Sequence, residues 1–203
     1  MRIGNMAKNP NPQGKGVVPL LAAWEENAPA TIAAKSPQRI VVDYFTSLLV
    51  LSAEFHFKPV VGNIYYLYWR KRDNDQSPLI LSLIEPERAS SCQFGHYVGS
   101  SQLQNDMTWS IALSPALAET PEVLAELQQF HHRFINNHNN DKSLEENLPV
   151  FVESLPFYRR LAATAMSSSL MRSIASSQRQ HQSARQWLLD SDASALQLIE
   201  MKA

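Results

Sequence analysis

Six consecutive residues, Ile64-Tyr65-Tyr66-Leu67-Tyr68-Trp69, carry an apolar or aromatic side chain at every position, and Arg70-Lys71-Arg72 follows at once. In a strand, successive side chains point to opposite faces. Ile64, Tyr66 and Tyr68 therefore share one side, and Tyr65, Leu67 and Trp69 the other. A strand that is apolar on both faces belongs in the middle of a sheet rather than at its edge. Leu79 to Ile84 repeats the pattern, with Leu79, Leu81 and Leu83 opposite Ile80, Ser82 and Ile84. Asp73-Asn74-Asp75 between the two runs suits an antiparallel hairpin longer than the tightest turn. Glu85-Pro86-Glu87 ends the second run, because proline cannot donate to the ladder. Phe94 to Gly99 and Leu103 to Trp109 complete an expected short antiparallel β-meander. Its expected buried set is Ile64, Tyr66, Leu81 and Leu83, and its aromatic density requires a core, a partner or a ligand to cover it.

A helix precedes the sheet. Ser36-Pro37 supplies a hydroxyl cap and a proline at the first helical position. Ile40, Tyr44, Leu48, Leu51 and Phe55 then recur at helical spacing, widened by Val41, Phe45, Leu49 and Val50. A stripe this broad predicts burial on most sides, with the helix lying across one face of the sheet. The fold class expected is α+β: a short antiparallel β-meander packed against a buried N-terminal helix and followed by a helical C-terminal region.

Three parts follow from composition. Residues 1–16 are rich in Asn, Pro and Gly and read as an extended or disordered lead-in. Residues 17–118 form the α+β domain, and residues 119–203 the helical C-terminal region. In the last part Thr120-Pro121-Glu122 opens a helix along Val123, Leu127, Phe130 and Phe134, and a further helix is expected from Ser143 to Val152. Past Pro156 only Leu161, Met166, Leu170 and Ile174 mark a thin stripe, with Trp187 and Leu188 beyond. Serines between them lower helix propensity, so this tail is expected to dock on the main body or on a partner and to be dispensable for folding of the rest.

The chain has 203 residues, formal net charge −1 and a single cysteine, Cys92. Neutrality removes any whole-molecule attraction to a polyanion, and one cysteine excludes an internal disulfide framework. Neither a signal peptide nor a run of roughly 20 apolar residues is apparent, so a cytoplasmic protein without a membrane partner is expected. Charge is nevertheless uneven: acids dominate Glu119 to Glu153, whereas Ser154 to Leu189 holds Arg159, Arg160, Arg172, Arg179 and Arg185 and no acid. Packing of complementary helix faces, or a basic arm for an anionic partner, would each explain this.

Gly62-Asn63-Ile64-Tyr65-Tyr66-Leu67-Tyr68, Leu81-Ser82-Leu83-Ile84-Glu85-Pro86-Glu87, Phe94-Gly95-X-Tyr97-X-Gly99 and Leu103-X-X-Asp106-Met107-Thr108-Trp109 resemble a bacterial domain-of-unknown-function family with a related human open-reading-frame protein. Asn11-Pro12-Gln13-Gly14-Lys15-Gly16 resembles the opening of its bacterial members. The likeness covers roughly the first half of the chain and implies a helix followed by a short meander, with no catalytic residue or ligand to carry over. Arg88 stands where the family pattern has tryptophan.

Chemical motifs are sparse. Gly14-Lys15-Gly16 lacks the earlier glycine, the following hydroxyl and the preceding strand of a phosphate loop. His131, His132 and His138 are not spaced four apart on one helix face and read as exposed histidines, so neither a metal nor a cofactor is expected. Glu85, Glu87 and Asp106 are the acids nearest the strand ends, where an acid–base pair would sit; Asp106 also suits a turn cap. Arg70 and Arg72 beside an aromatic strand, with Arg159, Arg160, Arg172 and Arg179 in the tail, are the candidate interaction surface. The leading expectation is a non-enzymatic interaction or adaptor module with another protein as partner. RNA or single-stranded DNA binding and a carboxylate enzyme are the alternatives.

Overall fold

The structure, a computed structural model, describes residues 34–71, 78–89, 94–150 and 152–191. The 1–16 lead-in, Arg72 and Cys92 lie outside the described residues. Helix α1 spans Pro37–Ser52, followed by strands β1 (Ile64–Trp69), β2 (Leu79–Ser82), β3 (His96–Leu103) and β4 (Trp109–Leu113). Helices α2 (Pro121–His138), α3 (Phe157–Ser176) and α4 (Ala184–Asp190) follow among the described residues, and the class is α+β. No helix among the described residues is long and apolar enough to cross a membrane.

Helix α1 starts as its sequence dictates: the Ser36 hydroxyl accepts from Arg39 N at 3.2 Å, and Pro37 opens the first turn. It lies between the sheet and the other helices. Thr46 donates to Trp109 O at 2.6 Å, and Ser47 accepts from Trp109 N at 2.9 Å, which stitches α1 to β4.

All four strands are antiparallel to their neighbours, in the order β2-β1-β3-β4. The strands are thus not laid down strictly in meander order, because β3 pairs with β1 rather than with β2. The chain leaves β2 at Ser82, opposite Tyr66, and must enter β3 at His96, opposite Trp69. The connection therefore crosses β1 on the face away from α1. There the Tyr68 hydroxyl donates to Ile84 O at 2.7 Å, and Phe94 packs 5.2 Å from the Tyr68 ring. The outer edge of β2 is covered by Glu54, whose backbone bonds Leu79 O and Leu81 N.

The crossover ends at Gly95, whose φ is +83°. A Cβ there would stand 2.2 Å from Trp69 O, so neither the torsion nor the space admits a side chain. Gly95→Ala is expected to destabilise the fold by about 1–3 kcal/mol, the usual cost of a strained backbone position. A shift in the urea midpoint measures it, and an unchanged midpoint would mean that β3 enters the sheet by another path.

The face of β1 turned to α1 carries Tyr65, Leu67 and Trp69, which are buried. This corrects the expected buried set. Leu81 is 2% exposed, but Ile64 is 56% and Leu83 59% exposed, and Tyr66 is half-buried. With both faces apolar, strand period alone does not choose the parity, and a shift of one residue exchanges the faces.

The tail docks on the main body as expected, but as part of its core rather than as an addition to it. Met166, Leu170, Ile174 and Trp187 are each fully buried and belong to the same core as Ile40, Tyr44, Leu67 and Trp109. Serines that weaken helix propensity lie on the packed side of α3. Ser167, Ser169 and Ser173 are fully buried, and Ser173 returns its hydroxyl to Ser169 O at 3.2 Å within its own helix. The helix expected from Ser143 to Val152 is a single 3₁₀ turn, Glu145–Asn147. Ser143 and Glu146 cap each other's backbone N–H, and Pro149 lies just beyond.

Candidate functional site

Helices α1, α2 and the start of α3 enclose a cleft of about 700 Å³. Its floor follows α2 from Glu126 to His138, a length of about 18 Å at the helical rise. Leu48 and Leu51 of α1, Phe130 and Phe134 of α2, and Leu155 before α3 give it an apolar lining. Leu48, Phe130 and Leu155 are only half-buried, so the cleft presents uncovered apolar surface. Its polar rim carries Asn137 and the Arg133–Glu126 pair at 3.4 Å.

His138 also lines the cleft, but it is buried rather than exposed as its sequence context suggests. Its Nδ1 stands 2.7 Å from Phe134 O and its Nε2 2.9 Å from the Tyr44 hydroxyl, which also reaches Asn147 O at 2.7 Å. Burial holds His138 below the ordinary imidazole value and pushes the Tyr44 hydroxyl well above its own. Burial thus disfavours the charged ring: Nδ1–H donates to Phe134 O, and the single Tyr44 hydroxyl proton is shared between Nε2 and Asn147 O. Both nitrogens are spent on the fold.

A second polar cluster joins α1 to the β3–β4 turn. Asp43, 1% exposed, accepts from Lys35 at 2.5 Å and from Arg39 at 2.8 Å. Lys35 also bridges to Asp106, whose other oxygen accepts from Thr108 N at 3.1 Å and from its hydroxyl at 2.6 Å. Burial lifts Asp43 above the ordinary carboxyl value despite its two cations. For Asp106 burial also acts upward, but the Lys35 and Thr108 bonds outweigh it and hold the carboxyl below that value. Every partner in this cluster is internal, which is the arrangement of a structural clamp. Asp106 thus sits beside α1, whereas Glu85 follows Ile84, whose carbonyl is held by Tyr68 on the opposite face of the sheet. The three candidate acids do not meet in one site.

The candidate arginines are also dispersed. Arg159 turns inward and donates through Nε and Nη2 to Leu51 O at 3.0 and 2.7 Å, clamping the end of α1. Arg179 bonds Asp190 at 2.6 Å and lies over the Trp187 ring. Arg172 is exposed, Arg160 half-buried, and Arg70 is half-buried at the end of β1. The cleft residues were not singled out as a site from sequence, although Phe130 and Leu48 were assigned to apolar stripes. Their excess over what the core absorbs is visible only once the helices are packed. Among the described residues no group of His, Cys, Asp and Glu side chains is placed to hold a metal ion.

No family model, curated protein or solved structure matches the chain. The resemblance seen in Gly62 to Trp109 therefore rests on those motifs alone.

Proposed function

We propose that the protein is a non-enzymatic interaction module of the cytoplasm that holds an amphipathic helical segment of a partner protein in the α1–α2–α3 cleft. The cleft itself is the observation that carries this reading. Three turns of α2 form its floor, so its length suits three turns of a guest helix, whose apolar stripe would meet Leu48, Phe130 and Leu155. Arg133, Glu126 and Asn137 would face the polar flank of that helix and set its register. The spent nitrogens of His138 and the internally paired carboxylates of Asp43 and Asp106 favour binding over catalysis.

A photo-crosslinking residue placed at Phe130 tests the reading against the same residue at Ala112, which is exposed on β4. Position 130 is expected to trap a discrete protein through an amphipathic helical peptide, and position 112 is not. Leu48→Glu should reduce that product by about tenfold or more, because a charge would be buried at the contact. The same products from both positions, or a yield indifferent to Leu48→Glu, would remove the cleft from recognition.

A further inference from the structure

The outer face of the sheet carries an aromatic wall that the cleft does not use. Tyr66, Tyr68 and Tyr97 share this face, since Tyr68 pairs with Tyr97 across β1 and β3 and Tyr66 lies two residues from Tyr68. The Tyr97 ring stands 6.4 Å from Tyr66 and 5.7 Å from Tyr68, inclined by 50° and 53°, so the rings form a folded surface rather than a stack. Tyr68 is buried beneath, backed by Phe94, while Tyr66 and Tyr97 remain half-exposed.

Two carboxylates border the wall. The Tyr68 hydroxyl ties down Ile84 O, and the chain then makes the 3₁₀ turn Pro86–Arg88, with exposed Glu85 and Glu87 on either side of Pro86. Glu85 directly follows Ile84, so the Tyr68–Ile84 bond brings its carboxylate to the Tyr66 side of the wall. No ion pair among the described residues reaches Glu85 or Glu87. Their charge is felt by the rings. Desolvation first, then these carboxylates and Tyr97, raise the Tyr66 hydroxyl above its ordinary value; Tyr68 is pushed up to about 12, chiefly by burial, then by Tyr97 and Tyr66, with both carboxylates adding least. The hydroxyl of Tyr97 is raised by burial and by Glu87.

We infer that this wall is a binding site for a small alkylammonium cation, seated on the exposed faces of Tyr66 and Tyr97 with Glu85 and Glu87 beside it. An aromatic face attracts a weakly hydrated cation through its quadrupole, and methylated ammonium groups add apolar contact with the ring. The carboxylates supply the countercharge that distinguishes this surface from a base-stacking platform, where they would repel phosphate. A bare metal ion lacks the apolar surface that the rings select for.

Titration of the intact protein with choline, followed by ring resonances of the tyrosines and by calorimetry, tests the site. Choline is expected to bind at least about tenfold tighter than dimethylbutanol, its uncharged isostere, with Tyr66 and Tyr97 the rings that shift. Tyr97→Leu should weaken binding by about two- to thirty-fold, which is a cation–π contact of ~0.5–2 kcal/mol expressed as affinity. Glu85→Gln, on an exposed turn where folding is not at stake, should weaken it as well. Phosphatidylcholine vesicles carry the same headgroup, and their capture would place the cation on a lipid, whereas binding of choline alone would make it a free solute. Equal binding of the neutral isostere, displacement by sodium or calcium at equal concentration, no binding at millimolar choline, or indifference to Glu85→Gln would each overturn the inference.

Discussion

Ending the chain at Leu155 is expected to abolish cooperative folding. The deletion removes α3 and α4, and with them Met166, Leu170, Ile174 and Trp187, all fully buried. Burying one such side chain contributes about 1.5–3 kcal/mol, so the four together amount to roughly 6–12 kcal/mol. The whole stability of an ordinary domain is about 5–15 kcal/mol. The deletion also uncovers the partners of these side chains on α1 and takes away the Arg159 clamp on Leu51 O. The shortened protein should aggregate, or show no sigmoidal unfolding by circular dichroism. A soluble fragment with a cooperative melt would show instead that α3 and α4 dock on a body already complete.

Leu67→Ala should cost about 2–5 kcal/mol, the range for truncating a large buried side chain. Leu67 is 0% exposed and packs between the sheet and α1. Three residues earlier in the same strand, Ile64 is 56% exposed, and Ile64→Ala should cost under about 1 kcal/mol, mostly lost strand preference. Denaturant titration of the two variants side by side reads the parity of β1 directly. Similar losses, or a larger one at Ile64, would mean that the strand presents its other face to the helix.

The contrast between these two residues marks where local reading ends. Ile64 to Trp69 announces a strand and α1 announces a helix because each carries its pattern within a few residues, and the Ser36–Pro37 start is chemistry confined to one turn. The antiparallel pairing of β1 with β2 follows from a short connection. The open cleft and the aromatic wall were not legible in this way. Phe130 and Leu48 form a cleft because the packed α1 and α2 leave these two side chains partly uncovered. Tyr66, Tyr97, Glu85 and Glu87 meet only because the chain crosses β1 on its way to β3.

What the sequence determined by itself was the identity of most elements, the α+β class and the central place of β1 and α1. A periodic run of apolar side chains defines an element and the number of its faces that must be covered. Which partner covers which face was decided by tertiary structure alone: the parity of β1, the order β2-β1-β3-β4, the burial of α3 and α4, and the inward turn of Arg159. The reason is physical. Coverage depends on the shape and spacing of side chains far apart in the chain, and small residues such as Ser167, Ser169 and Ser173 look polar in sequence yet are fully buried in the fold.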